Sequence, residues 1–225
     1  MSDQADRKAD ATRLLIVQAA ARQFSRRAYG MVSLDDILAD AAVTKGAMYF
    51  HFRSKYALAV AIVDHRAEQS RAVVEEVLAR RLPATETLID VMFVIAVEDL
   101  GDHLARAGLN LLESIGRTDG LATRVHGSWI TGFSGIAQRA IDEGDLLDGR
   151  DADGVARLLV AMYLGIRQTS DLDDPQPFLE RLVDAWDVVL PGIARPDRLN
   201  YLSQFARRRG AQALKRASPL PADDL

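Results

Sequence analysis

The residues best suited to chemistry in this sequence lie between Ser33 and Lys55. They are hydroxyls, two lysines, a phenol and an imidazole, and all can donate hydrogen bonds. Thr44-Lys45-Gly46 opens a short segment that closes on Tyr49-Phe50-His51-Phe52. Donors at that density suit phosphate oxygens and the acceptor edges of bases. Lys45, beside a helix start, reaches a guanine O6 or N7. Thr44 and the free N–H groups of the helix it opens can hold a phosphate at the positive helix end. Tyr49, His51 and Lys55 are expected to donate to backbone phosphates, and Ser33 joins the set from the preceding helix. Gly46 costs about 1 kcal/mol of helix propensity relative to alanine, and close approach to DNA is a reason for it. Thr44 would cap its helix in any case. Phe50 and Phe52 are expected in the core.

Two short capped helices must position these groups. Ser33 caps the first with Asp36 at its third helical position, an arrangement like a capping box, and Val32 and Ile37 stand where a hydrophobic staple closes. Thr44 caps the second, with Val43 and Met48 as staple. Ahead of them Ile16, Ala20 and Phe24 recur at four-residue spacing, so a first helix is expected from about Thr12 to Arg27. Together these make a three-helix head whose third helix would lie in a DNA major groove. Ser54 caps a fourth helix that includes Leu58 and Ile62 and is expected to run on toward Leu82.

The remainder also reads as helix. Spans are expected at Thr85 to Leu100, Leu104 to Ile115, Leu121 to Glu143, Asp151 to Arg167 and Phe178 to Leu190, the last stopped by Pro191-Gly192. A basic helix, Asp197 to Arg216, precedes a tail, residues 218–225, that is expected to fray. Its Arg207, Arg208 and Arg209 are expected to pack or face solvent. No alternating strand pattern occurs. The fold class is therefore all-α, with a helix-turn-helix domain at 1–55, ordered from about residue 10, and a ligand-binding and dimerisation bundle at 56–225. The apolar helices at about 151–167 and 178–190 point to a two-fold homodimer.

Composition agrees with this division. Hydrophobic residues make up 48% of the 225 and charged residues 27%, ordinary for a globular chain. The net charge is −4, yet residues 1–60 hold nine Lys and Arg against six Asp and Glu, so the basic excess sits on the head. There is no cysteine. No run approaches the roughly 18 apolar residues of a membrane span, and the polar first ten residues lack the apolar core of a signal peptide. A cytoplasmic protein with no membrane partner is expected.

Enzyme chemistry finds little support. His51, His65, His103 and His126 are scattered without metal-ligand spacing, and Asp171, Asp173 and Asp174 lack a Ca²⁺-loop pattern. There is no phosphate-binding glycine loop and no nucleophile elbow. Glu98-Asp99 and Asp142-Glu143 read as solvated helix ends. No cofactor and no metal site is expected.

The run Val43-Thr44-Lys45-Gly46-Ala47-Met48-Tyr49-Phe50-His51-Phe52, followed by Ser54-Lys55 and Leu58, resembles the recognition helix of the TetR family of bacterial transcription regulators. Ala19-Ala20, Phe24, Tyr29-Gly30, Ser33 and Ile37-Leu38 agree with that family's first two helices. The resemblance implies a homodimeric repressor that releases a palindromic operator when a small molecule enters the C-terminal domain. Arg106-Ala107-Gly108-Leu109, Trp129 and Trp186 are further similar to the γ-butyrolactone autoregulator receptors, and imply that Trp129 lines the effector cavity while Trp186 is structural. Met92, Phe93, Leu109, Leu112 and Phe133 are candidates for the same wall, with Asn110, Ser114, Thr131 and Ser134 as polar neighbours. Gly127, Gly132 and Gly135 would leave volume beside Trp129. The alternative is a helical dimer that acts without an effector, as a ligand-blind regulator or a protein-interaction module.

Overall fold

The computed structural model describes residues 2–221. Among them are ten α-helices and no strand: α1 (Ser2–Arg26), α2 (Leu34–Ala41), α3 (Lys45–His51), α4 (Lys55–Ala79), α5 (Ala84–Gly101), α6 (His103–Ile115), α7 (Leu121–Asp142), α8 (Ala152–Gln168), α9 (Pro175–Ile193) and α10 (Pro196–Arg216). The all-α expectation holds. Local chemistry sets the first boundaries. The Ser33 hydroxyl accepts from the Asp36 N–H and the Asp36 carboxylate accepts from the Ser33 N–H, each at 3.0 Å, which completes the capping box. Ala42 ends α2 in the left-handed region at φ 52°, and Thr44 accepts from the Ala47 N–H at 3.2 Å to start α3.

Several boundaries differ from the sequence reading. α1 begins at Ser2 rather than near Thr12, because residues 2–11 contain alanines and long charged side chains and no helix breaker. α4 stops at Ala79, short of Leu82, as Arg81 turns to φ 55° ahead of Pro83. α9 does not stop at Pro191 but runs through it to Ile193. A proline in the last turn removes only one N–H donor, and the Ala194 N–H still closes on the Leu190 carbonyl at 2.8 Å.

The chain forms two compact units, one of residues up to Gln69 with Asp102–Thr123, the other of Ser70–Gly101 with Arg124 onward. In the first, Ile16, Ala20 and Phe24 of α1, Ile37 of α2, Met48 of α3 and Leu58 and Ile62 of α4 are all fully buried. α6 packs along α1. The Asn110 amide donates to the carbonyls of Phe24 and Ser25 at 3.1 and 3.2 Å, which satisfies the end of α1. Gly108 makes the close approach of α6 possible, since a Cβ there would lie 2.5 Å from the Arg66 Cβ.

In the second unit α10 packs on α9 and α5, and α8 on α9. Trp186, Phe178, Leu182 and Leu190 are fully buried, each contributing about 1.5–3 kcal/mol by burial. Trp186 is structural, as the resemblance implied. Buried charge is paired: Asp90 lies between Arg80 and Arg209. Asp99, expected at a solvated helix end, is instead fully buried. It accepts from the Tyr163 hydroxyl at 2.5 Å and from Arg167 Nε at 3.3 Å, both on α8. Glu143 is likewise not simply solvated, because its carboxylate accepts the Ala84 N–H at 2.6 Å and caps α5.

The start of the tail is ordered against α5 rather than frayed. Leu220 is buried and its N–H donates to the Leu100 carbonyl at 3.1 Å. Gly101 is required there, since a Cβ would meet the Ser218 carbonyl oxygen at 2.7 Å. Residues 222–225 of that expectation lie outside the described residues. On α10, Arg207 pairs with Asp187 at 2.8 Å and Arg208 sits over the rings of Tyr201 and Phe205.

Candidate nucleic-acid interface

α3 is seven residues long and has two faces. Met48 is fully buried and Phe52, four residues on, is 5% exposed; these hold the helix to the head. Lys45, Gly46, Tyr49 and Phe50 are exposed. Lys45 and Tyr49 form one outward row at four-residue spacing and Gly46 and Phe50 form another. Phe50, expected in the core, is 79% exposed. The period explains this: Met48 and Phe52 occupy the inward row, and the residue midway between them points away. Phe50 sets its ring edge-on to His51, with centroids 5.0 Å apart. Phe52 does lie inside, with the Arg13 guanidinium 5.2 Å from its ring centroid.

The other expected donors are placed around this helix. Lys55 is half-buried, and its ammonium donates to the carbonyls of Tyr29 and Val32 at 2.9 and 2.8 Å while lying 4.2 Å from the Tyr29 ring centroid. It thereby closes the 3₁₀ turn Tyr29–Met31 onto the start of α4. Ser33 is engaged in its capping box. Its N–H and hydroxyl, with Arg27 at 3.3 Å, hold the Asp36 carboxyl below the ordinary carboxylate range. Tyr49, Lys45 and Phe50 therefore face outward together, while Ser33, Thr44 and Lys55 shape the turn behind them.

Gly46 separates two explanations of its own presence. A Cβ at this position would meet only the Thr44 hydroxyl oxygen, at 3.9 Å, so the protein itself has room for a side chain. Gly46→Ala should raise stability by up to about 1 kcal/mol through helix propensity, read in a urea melt. The same substitution should weaken DNA binding if a phosphate backbone occupies that space. A variant that is both more stable and equally tight on DNA would remove Gly46 from the interface.

The expected effector residues divide between the units. Trp129, Met92, Phe93 and Phe133 belong to the second, Leu109 and Leu112 to the first. All but Trp129 are at most 7% exposed. Phe93 turns its ring edge to Gly210, within 3.6 Å of where a Cβ would stand, and lines a shallow cleft of about 120 Å³ between α5 and α10. Trp129 is half-buried, packed on His126. Gly127, Gly132 and Gly135 do not hollow a space beside it: all three are exposed, with nothing within 4 Å of a Cβ. They lie on the outward side of α7, because Val125, Phe133, Ile136 and Ala140 fill the inward one. All four polar neighbours are engaged: Ser114 donates to the Asn110 carbonyl and Thr131 to that of Gly127 within their own helices, Asn110 donates to the end of α1, and Ser134 hydrogen-bonds Asp153 on α8. Among the described residues no group of three or more His, Asp or Glu could hold a metal ion.

Residues 16–62 match the family described as bacterial regulatory proteins, tetR family. The A-factor receptor protein of Streptomyces griseus is 32% identical over 193 residues, which cover 85% of this chain and 67% of that one. The regulator TtgR of Pseudomonas putida is 42% identical over 57 residues, 25% of this chain and 27% of its own. A crystal structure of a γ-butyrolactone receptor, an ArpA-like protein, aligns with a TM-score of 0.79 at 29% identity, over 91% of this chain and 99% of the other. CprB of Streptomyces coelicolor, in complex with its operator sequence, aligns with a TM-score of 0.76 at 29% identity over the same shares.

Proposed function

This chain belongs to the tetR family of bacterial regulatory proteins, and from that premise we propose that α3 reads the major groove of an operator through Lys45. The chain is a ligand-responsive DNA-binding repressor and not an enzyme. One observation supports the residue assignment above others: Lys45, Tyr49 and Phe50 are exposed on a helix anchored from behind by Met48 and Phe52. Lys45 donates to a guanine edge, Tyr49 and His51 hold phosphates, and Phe50 covers an apolar base or sugar surface. Gly46 lets the DNA backbone approach. Ser33, Thr44 and Lys55 place the turn and offer their remaining donors to phosphate. Residues 1–55 form the DNA-binding domain and 56–225 the regulatory one.

The operator is a palindrome, read by a two-fold dimer with recognition helices about 34–36 Å apart. Its interface is built from α8 and α9, whose outward rows leave Leu158 at 46% and Val188 at 79% exposure. The effector is a γ-butyrolactone, as in the receptors to which this chain is similar. It binds in the regulatory domain at Trp129, with Met92 and Phe133 as apolar neighbours. Effector binding ends repression because the effector favours the conformation that does not fit the operator. No described helix is long and apolar enough to cross a membrane, and action on chromosomal DNA places the protein in the cytoplasm.

The test is fluorescence anisotropy of a labelled duplex from the region upstream of the protein's own gene. Binding followed by release on adding a 2-acyl-γ-butyrolactone is expected. Binding that survives a saturating excess of the lactone would rule out that effector class.

A further inference from the structure

The cleft of about 120 Å³ between α5 and α10 owes its shape to small residues on α10. Gly210 brings that helix close, since a Cβ there would collide with Val183 and touch the Phe93 ring. Ala213, three residues on, presents only a methyl, so Val94 and Val97 of α5 line the cleft half-buried while Phe93 closes its floor. The floor is apolar and the ends are charged. At one end Asp90 is fully buried, with Arg80 at 2.9 Å and Arg209 paired to its other oxygen. Arg80 also reaches Glu76, which is largely in water. Arg209 donates in addition to Gln212 Oε1 at 2.7 Å. Two helical turns along α10, about 10 Å away, Arg216 stands exposed on the lining and makes no ion pair or hydrogen bond among the described residues. Glu98, the second carboxylate of the lining, is itself engaged. The guanidiniums of Arg80, Arg209 and Arg216 thus gather around one buried carboxylate. Their mutual repulsion shows at Arg209, whose pKa is lowered by burial and then by the charges of Arg80 and Arg216.

We propose that this cleft is a second small-molecule site, taking a compact amphipathic carboxylate whose anion is held by Arg216 and whose apolar body lies on Val94, Val97 and Phe93. An apolar wall with a few placed polar groups is the usual make-up of a ligand site. Neither half suffices alone. An exposed ion pair contributes little, and an apolar strip does not select, so the ligand must use both. A guanidinium meets a carboxylate through two parallel N–H···O bonds, and Arg216 has its fork available because it binds nothing else. The volume, about that of four water molecules, admits one small ring or short branched chain rather than a long acyl tail. Asp90 closes the far end to a second anionic group, so a single carboxylate is selected. The cleft is separate from the effector site, since neither Trp129 nor Phe133 lines it, and this inference stands without that assignment.

The experiment titrates the whole chain with para-fluorophenylacetate, followed by the fluorine NMR signal of the probe, and with para-fluorophenylacetamide as its uncharged counterpart. Saturable binding of the carboxylate is expected, about fivefold tighter than that of the amide, and an equal concentration of acetate should displace neither. Arg216→Gln should bring the two probes to near parity. Arg208→Gln, which removes an exposed arginine outside the cleft, should leave the preference intact. Val97→Asp, which puts a charge on the apolar wall, should weaken both probes by about tenfold or more, and Val94→Asp serves the same purpose if that variant fails to fold. A carboxylate signal that does not saturate by about 10 mM would overturn the inference. So would a preference that survives Arg216→Gln, or one that Arg208→Gln abolishes equally, which would mean a general attraction to the basic helix. Size-exclusion chromatography of the wall variant covers the remaining occupant: a smaller assembly with unchanged probe binding would assign the cleft to contact between copies of this chain and refute the ligand site.

Discussion

Replacing Lys45 with alanine should weaken operator binding by roughly 1–3 kcal/mol, a factor of about 5 to 150, and relax the base preference at one position of each half-site. Lys45 is exposed at the first turn of α3 and makes no ion pair or side-chain hydrogen bond among the described residues, so its ammonium is free to enter the groove. Its loss should leave the urea midpoint nearly unchanged. Lys55 provides the contrast. Its ammonium already ties down the Tyr29 and Val32 carbonyls, so Lys55→Ala should lower stability as well as affinity. An operator library titrated with both variants separates the two. A uniform loss across all sequences for Lys45→Ala would demote it from base reader to phosphate contact.

Gly108→Ala should destabilise the first unit by about 1–3 kcal/mol, the usual range for overpacking a closed core. The added methyl would lie 2.5 Å from Cβ and 2.8 Å from Cγ of Arg66, and Arg66 is only 2% exposed. Neither atom is the free end of a side chain, so either α4 or α6 must move. The consequence extends to DNA binding, because α6 carries Asn110, which satisfies the last carbonyls of α1. A lower urea midpoint with a parallel loss of operator affinity at 37 °C is expected. An unchanged midpoint would mean that the close approach of these helices is readily relieved.

The head was legible because its determinants are local. The Ser33–Asp36 box and the Thr44 cap each act across three residues, and Met48 and Phe52 mark the buried row of α3 at a spacing visible in the sequence. Phe50 reads as a core residue by its apolar character, whereas its phase on α3 puts it outside. What lay beyond reach was long-range. Asp99 looks like any helix-end carboxylate until α8 brings Tyr163 and Arg167 to it from 64 and 68 residues away. Leu220 reads as a loose tail residue until it meets the end of α5.

Glycines illustrate the same limit. Gly101, Gly108 and Gly210 admit a neighbouring backbone or side chain within 2.7 Å of a would-be Cβ, while Gly127, Gly132 and Gly135 border open space. A helical glycine alone cannot say which it does.

The assignment of α3 as a reader of sequence is tested most directly by competition. A labelled duplex from the protein's own upstream region is bound at about 0.15 M salt, then displaced by its unlabelled copy and by unrelated DNA. A preference for the upstream duplex of at least about 10³ is expected for specific recognition. Equal displacement by both competitors would contradict it and reduce the basic head to a non-specific phosphate contact.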